Sequence, residues 1–208
     1  MVEPSPSEVL ARRPKPGGLR LAKLLFWGLL MVSSGVIGLE NSSPAAHRLV
    51  ELEREIAADY AEVTHISVAA LKTEYADALL VDVRAAGEYE RSHLPGAVHA
   101  PTPMQVDELR RRYPDRDLVF YCTVGVRSSI AARDLLARES SSPARASSAP
   151  AGRVVNLAGS IFAWANQGEP LENANGPTHD VHPYNAWWRF RYLDRNRPRP
   201  ELGSQAPK

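Results

Sequence analysis

Through the middle of this chain the pattern of apolar and polar positions switches repeatedly between two periods. Short runs rich in β-branched and other apolar residues at 63–66, 79–83, 97–99, 118–121 and 154–157 read as strands. Between them, helical patterns occupy 68–72, 87–92, 104–113, 128–138 and 160–167. Strands alternating with helices in this way predict an α/β fold, a parallel five-stranded sheet with helices on both faces. In such sheets functional groups gather beyond the carboxyl ends of the strands.

Upstream of the first strand the pattern predicts two further helices. Leu49, Leu52, Ile56 and Tyr60 recur at helical spacing over 45–62 with charges elsewhere, an amphipathic helix that packs on the domain or spaces it from a bilayer. Before it, residues 24–39 carry no charge, and Leu19, Leu21 and Ala22 extend the apolar stretch around Arg20 and Lys23. That is enough for a marginal membrane span, since about 17–20 residues cross the hydrocarbon and flanking cations can snorkel. Arg12, Arg13, Lys15, Arg20 and Lys23 precede the stretch, whereas Glu40, Glu51, Glu53, Glu55 and Asp59 follow it. Positive-inside reasoning then puts the tail in the cytoplasm and the body outside, in the periplasm if the membrane is a bacterial inner membrane. A cleaved signal peptide that releases a secreted or periplasmic body is the rival reading.

The resulting organisation is a basic, disordered tail at 1–18, an anchor or signal peptide at 19–39 and an amphipathic helix or linker at 40–62. An α/β domain follows at 63–172, and an aromatic and basic extension at 173–208. Within the domain, 139–152 is almost purely Ser, Ala, Pro and Arg, which predicts a flexible surface insertion.

Cys122 is the single cysteine, so the chain forms neither an internal disulfide nor a four-thiolate metal site. It directly follows Leu118-Val119-Phe120-Tyr121 and opens the loop Cys122-Thr123-Val124-Gly125-Val126-Arg127-Ser128-Ser129 before a helical pattern. A sulfur in a strand-to-helix loop meets backbone N–H groups, the positive end of a helix dipole and a nearby arginine. All three favour a thiolate.

The stretch from Leu79 to Ala100, with Asp82-Val83-Arg84, Glu88-Tyr89 and His93-Leu94-Pro95-Gly96-Ala97, resembles the opening signature of a rhodanese domain. The run from Val154 to Trp164, with Gly159 at its turn, resembles that family's closing strand and tryptophan-bearing helix. The resemblance extends over about 63–171. It implies sulfur transfer: Cys122 takes a sulfane sulfur from a donor, becomes a persulfide, and passes the sulfur to a thiol or cyanide-like acceptor without any cofactor. Four residues separate Cys122 from Arg127, the spacing of sulfurtransferase members, whereas phosphatases on this fold resemble a loop one residue longer. A phosphatase or arsenate reductase is therefore the lesser alternative. A non-catalytic module that presents its loop or its aromatic tail to a partner is the other.

On this reading Cys122 and Arg127 are catalytic, Arg127 stabilising the thiolate and holding an oxyanion of the donor. The backbone of Thr123, Val124, Gly125, Val126 and Ser128 lines the substrate, with Gly125 allowing the inward turn. Ser128 or Ser129 caps the following helix. Val124 and Val126 stand where thiosulfate-specialised members carry polar or cationic groups, so the resemblance leaves thiosulfate or a persulfide as donor, an uncharged rim being at least as compatible with a persulfide on a small thiol or protein. The resemblance makes Asp82, Arg84 and Glu88 structural ion pairs.

No metal is expected. His93 and His99 flank a Pro95-Gly96 turn, and His179 and His182 lack a third ligand. With 25 basic against 24 acidic residues, a formal net charge of +1, and no broad basic face, nucleic acid is not an expected partner. The partners expected are a sulfur donor, a thiol acceptor and the membrane; the oligomeric state is left open. Tyr184, Trp187, Trp188, Phe190 and Tyr192 lie among Arg189, Arg191, Arg195 and Arg197, a mixture that suits lipid headgroups or a partner protein, or else a helix packed back on the domain.

Overall fold

The computed structural model describes residues 43–141 and 151–201. In chain order these form α1 (Pro44–Asp59), β1 (Thr64–Ile66), α2 (Val68–Thr73), β2 (Leu79–Asp82), α3 (Ala86–Arg91), β3 (Val98–His99) and α4 (Pro103–Arg112). The order continues with β4 (Leu118–Tyr121), α5 (Val126–Ser140), β5 (Val154–Leu157), α6 (Ser160–Asn166), β6 (Leu171–Asn173), β7 (Gly176–Thr178) and α7 (Ala186–Tyr192). Strands β1 to β5 make one parallel sheet in the order β1-β5-β4-β2-β3.

Local chemistry accounts for where the helices begin. Ser43 and Ser67 cap α1 and α2 by accepting the Ala46 and Ala70 amides at 3.2 and 3.1 Å. Thr102 and Gln105 cap α4 reciprocally ahead of Pro103, whose missing N–H is harmless in a first turn. α5 starts differently: Gly125 is its N-cap at φ +118, a conformation strongly favouring glycine. Its first turn therefore includes Val126 and Arg127, earlier than the Ser128 start that the sequence pattern suggests.

Central β4 is buried at every position, and its side chains alternate between two cores. Leu118 and Phe120 pack with Val81, Val106, Ala132 and Leu135, beneath α4 and α5. Val119 and Tyr121 pack with Leu49, Leu52, Ile56, Leu157 and Phe162, beneath α1 and α6. Fully burying a side chain of this size contributes about 1.5–3 kcal/mol relative to leaving it exposed. The strand is thus clamped from both faces, and what it carries at its carboxyl end is held firmly.

The structure differs from the sequence pattern in two further places. α5 runs through Ser140, and Glu139 pairs with Arg110 at 2.9 Å, so the flexible insertion expected from 139 begins inside a helix; 142–150 lie outside the described residues. Residues 171–178 form an antiparallel hairpin, β6–β7, bridged to the sheet domain through reciprocal His93 and Glu172 backbone bonds of 2.9 and 3.0 Å. Strands of three residues, one containing Pro177, carry too little periodicity to announce themselves. The expected apolar helix at 19–39 lies outside the described residues; among those described, no helix is long and apolar enough to cross a membrane.

Candidate active site

β4 ends at Tyr121 and α5 starts at Val126, leaving Cys122-Thr123-Val124-Gly125 as the connection. The start of α6 fixes this loop from the neighbouring β5–α6 turn. Cys122 donates its amide to Ser160 Oγ at 3.1 Å, and its carbonyl accepts the Ile161 amide at 3.2 Å. The Thr123 carbonyl accepts the Phe162 amide at 3.2 Å. Ser160 holds its hydroxyl there from φ +52, a strained backbone for a residue with a side chain. Gly159-Ser160 was legible only as a turn; the aim of the Ser160 hydroxyl has no sequence signal.

Main-chain donors face the sulfur. Gly125 N–H donates to Cys122 Sγ at 3.2 Å, and the Ser128 amide also hydrogen-bonds it. Burial pushes the Cys122 thiol up, but the Arg127 charge and the bonds from Ser128 and Gly125 outweigh that effect, leaving its pKa below the ordinary thiol value. The serines do not cap α5 as expected. Their hydroxyls donate back to the Gly125 carbonyl, at 3.2 Å from Ser128 and 2.7 Å from Ser129, because the chain has already entered the helix when it reaches them.

Arg127 is neither a solvated cation nor a free fork. Its Nη1 and Nη2 each donate to Glu88 at 2.8 Å, Nη2 also donates to Thr123 Oγ1 at 2.9 Å, and its guanidinium lies 5.1 Å from the Tyr184 ring centroid. Two of the three Arg127 guanidinium nitrogens are thus engaged within the protein, so a donor oxyanion would share the fork with Glu88, and the Arg127 charge acts on the sulfur through space. Glu88 reaches it because it sits in the first turn of α3, where its carboxylate bends back to accept the Ala85 amide at 3.2 Å and turns toward the loop. Burial raises the Glu88 pKa, and the Arg127 pair more than reverses this, so the carboxyl stays ionised. Thr123 completes the group, its hydroxyl donating to Glu88 Oε1 at 3.1 Å.

The expected cluster of Asp82, Arg84 and Glu88 thus divides into two. Asp82 and Arg84 form a fully buried pair, with contacts of 2.9 Å (Nε to Oδ1) and 2.7 Å (Nη2 to Oδ2), and Arg84 Nη2 reaches the Ser92 carbonyl at 2.6 Å. This pair ties β2 to the end of α3. Glu88 belongs to the cysteine loop.

Loop side chains and their cover complete the site. Val124 is buried in the core and Val126 packs against it, so neither presents charge to a substrate. Cys122 itself is 1% exposed. Two elements that sequence reasoning did not attach to the site lie over it: Ile56 of α1 comes within 3.6 Å of where a Cβ on Gly125 would stand, and Tyr184 covers Arg127. A Cβ on Gly159 would overlap Glu53 Oε1, so α1 also packs a carboxyl against the β5–α6 turn, where burial pushes its pKa up to about 7 against the opposing effect of the Arg54 charge.

The histidines take structural parts. His93 stacks on Tyr89 at 3.9 Å between ring centroids, and His99 Nε2 lies 2.7 Å from the Arg84 carbonyl oxygen. The His182 ring accepts the Tyr184 amide at 3.2 Å, and the His179 carbonyl accepts Arg197 Nη2 at 2.9 Å. Among the described residues, no cluster of His, Cys, Asp and Glu has the makings of a metal site.

A parallel sheet carrying a single thiol in a tight loop between a strand and a helix defines the class of protein. The family model of the rhodanese-like domain matches residues 67–167, and the chain belongs to that family. A sulfurtransferase from Allochromatium vinosum is 35% identical over 103 residues, covering 48% of this chain and 83% of that protein. Among solved structures, a thiosulfate sulfurtransferase from Pseudomonas aeruginosa is similar with a TM-score of 0.46 and 21% identity, covering 70% of this chain but 26% of its own. A rhodanese-related protein from Thermoplasma volcanium is similar with a TM-score of 0.41 and 20% identity over 52% of this chain and 96% of its own.

Proposed function

We propose that this chain is a sulfurtransferase of rhodanese type that carries a sulfane sulfur on Cys122. The observation that carries the reading is the set of influences converging on one sulfur, the Gly125 and Ser128 N–H groups and the Arg127 charge, which together hold its pKa down despite burial. In the first half-reaction the Cys122 thiolate attacks the outer sulfur of a donor; a new S–S bond forms, the donor's S–S bond breaks, and the leaving group departs with that electron pair. In the second, an acceptor thiolate or cyanide attacks the outer sulfur of the persulfide and Cys122 leaves as thiolate. No net oxidant or reductant is needed.

The apolar loop side chains and the engagement of Arg127 by Glu88 favour a donor with little charge, a persulfide on a small thiol or protein, over thiosulfate. The test is the intact mass of the protein after exposure to thiosulfate and, separately, to glutathione persulfide. A gain of one sulfur atom, lost on addition of cyanide or thiol and absent in Cys122→Ser, supports the reading. The near-complete burial of Cys122 favours one rival, a non-catalytic module that uses the same fold for partner binding. That rival predicts no sulfur gain from either donor, with binding unaltered by Cys122→Ser.

The uncharged run at 24–39 and the charge asymmetry around it support tethering at a bacterial inner membrane with the sheet domain in the periplasm, or release there after signal cleavage. Protease protection of intact cells distinguishes this from a cytoplasmic location.

A further inference from the structure

Arg189 on α7 and Arg195, Arg197 and Arg199 just beyond it line one open cleft of about 490 Å³, in which Asp194 is the single carboxylate among the described residues. Like charges gathered this way repel one another unless something of opposite sign sits among them. The central member is also the best held: Arg197 is half-buried, with Nη1 on the Asp194 carbonyl at 3.2 Å and Nη2 on the His179 carbonyl at 2.9 Å. Burial lowers its pKa from the ordinary arginine value, with Arg199 and then Arg189 adding to the effect. The nearby Asp194 and Asp180 carboxylates offset this only in part, and each has another partner. Asp194 Oδ1 accepts the Asn196 amide at 2.9 Å, and Asp180 pairs with Arg91 at 2.9 Å. At the lip, Phe190 is 68% exposed with Arg195 stacked 5.5 Å from its centroid, giving an apolar edge to a cationic hollow.

We propose that this cleft is a binding site for a multiply charged phosphate-type oxyanion, with Arg197 as the fixed donor and Arg189, Arg195 and Arg199 closing on it from the rim. Planar guanidinium forks present parallel N–H donors that match such an oxyanion in shape as well as charge. The site is separate from the cysteine loop and does not depend on the reading of Cys122. The same chemistry is offered by a free phosphate compound and by the headgroup of an anionic lipid, and the experiment separates them.

The full chain is titrated with inorganic pyrophosphate by calorimetry and, in parallel, co-sedimented with vesicles of phosphatidylcholine with and without phosphatidylglycerol. Saturable binding is expected in at least one arm: pyrophosphate alone marks a soluble ligand, the anionic vesicles alone a membrane lipid. Arg195→Gln with Arg199→Gln, both at exposed positions, weakens that binding about tenfold or more, since two of the cations facing the anion are lost. Arg111→Gln with Arg112→Gln on α4 removes the same net charge elsewhere and changes it less than about twofold. Any contribution of residues 24–39 to vesicle binding is common to all variants, so the vesicle arm is read as a difference between them. If the double variant does not fold, exposed Arg189→Gln carries the comparison. Absence of binding in both arms, or equal weakening by the α4 control, overturns the proposal.

Discussion

Replacing Arg127 by Gln should return Cys122 to an unreactive thiol. Three influences act on its sulfur: burial, which raises its pKa and is the largest, the Arg127 charge, and hydrogen bonds from Ser128 and Gly125. An opposite charge in such a neighbourhood shifts a pKa by about 1–3 units. Without the guanidinium, burial is opposed only by the Ser128 and Gly125 bonds, so the thiol pKa rises and its thiolate fraction at neutral pH falls. The rate of alkylation by iodoacetamide near pH 7, followed by intact mass, should fall by about tenfold or more in proportion to that fraction. The same change strands the Glu88 carboxylate, whose side chain is 5% exposed, against an Arg127 side chain that is 31% exposed. We expect a loss of about 2–4 kcal/mol on urea unfolding, toward the lower end of what breaking a buried pair costs because the arginine is partly wet. Glu88→Gln separates stability from acidity: it destabilises by about 1–2 kcal/mol and leaves the Cys122 pKa at or below the wild-type value, since it removes a neighbouring negative charge. The double variant recovers part of the lost stability but keeps the raised thiol pKa. If Cys122 titrates in Arg127→Gln where it does in the wild type, or if Glu88→Gln raises it equally, the electrostatic account of this site is wrong.

Gly125→Ala should destabilise by about 1–2 kcal/mol, because φ +118 is strained for any side chain although the space is open to ordinary contacts of 3.4 and 3.6 Å. It should also raise the Cys122 pKa by turning the Gly125 N–H off the sulfur, and an unchanged thiol titration would remove that amide from the account. Arg84→Met leaves Asp82 charged and fully buried and should destabilise by about 3–5 kcal/mol without moving the thiol pKa; a thiol shift as large as that of Arg127→Gln would mean the two ion pairs act as one. Glu53, raised from 4.5 to about 7, contributes stability that is fully present below pH 4.5 and lost as the pH rises through 7, so the protein should weaken over that window. Glu53→Gln should abolish about 2–3 kcal/mol of that dependence, read by urea unfolding at acid and alkaline pH, and a slope unchanged by the substitution would count against a buried carboxyl there.

What the linear order of residues determined is everything that depends on neighbours in the chain. The alternation of periods defined the strands and helices of an α/β domain, and Leu118-Val119-Phe120-Tyr121 ahead of Cys122, with Gly125 three residues later, marked the reactive loop. These were legible because a buried strand needs successive apolar residues and a left-handed turn favours glycine. What only the tertiary structure decided is which distant groups meet at that loop. Glu88 precedes Arg127 by 39 positions, yet it occupies the arginine's fork; Ser160 follows Cys122 by 38 and holds its amide. Ile56 and Tyr184 come from outside the family's matched region and cover the loop. A charged side chain in the sequence carries no mark of its partner, because ion pairing depends on where backbone segments cross in space, and sheet order rather than chain order sets those crossings.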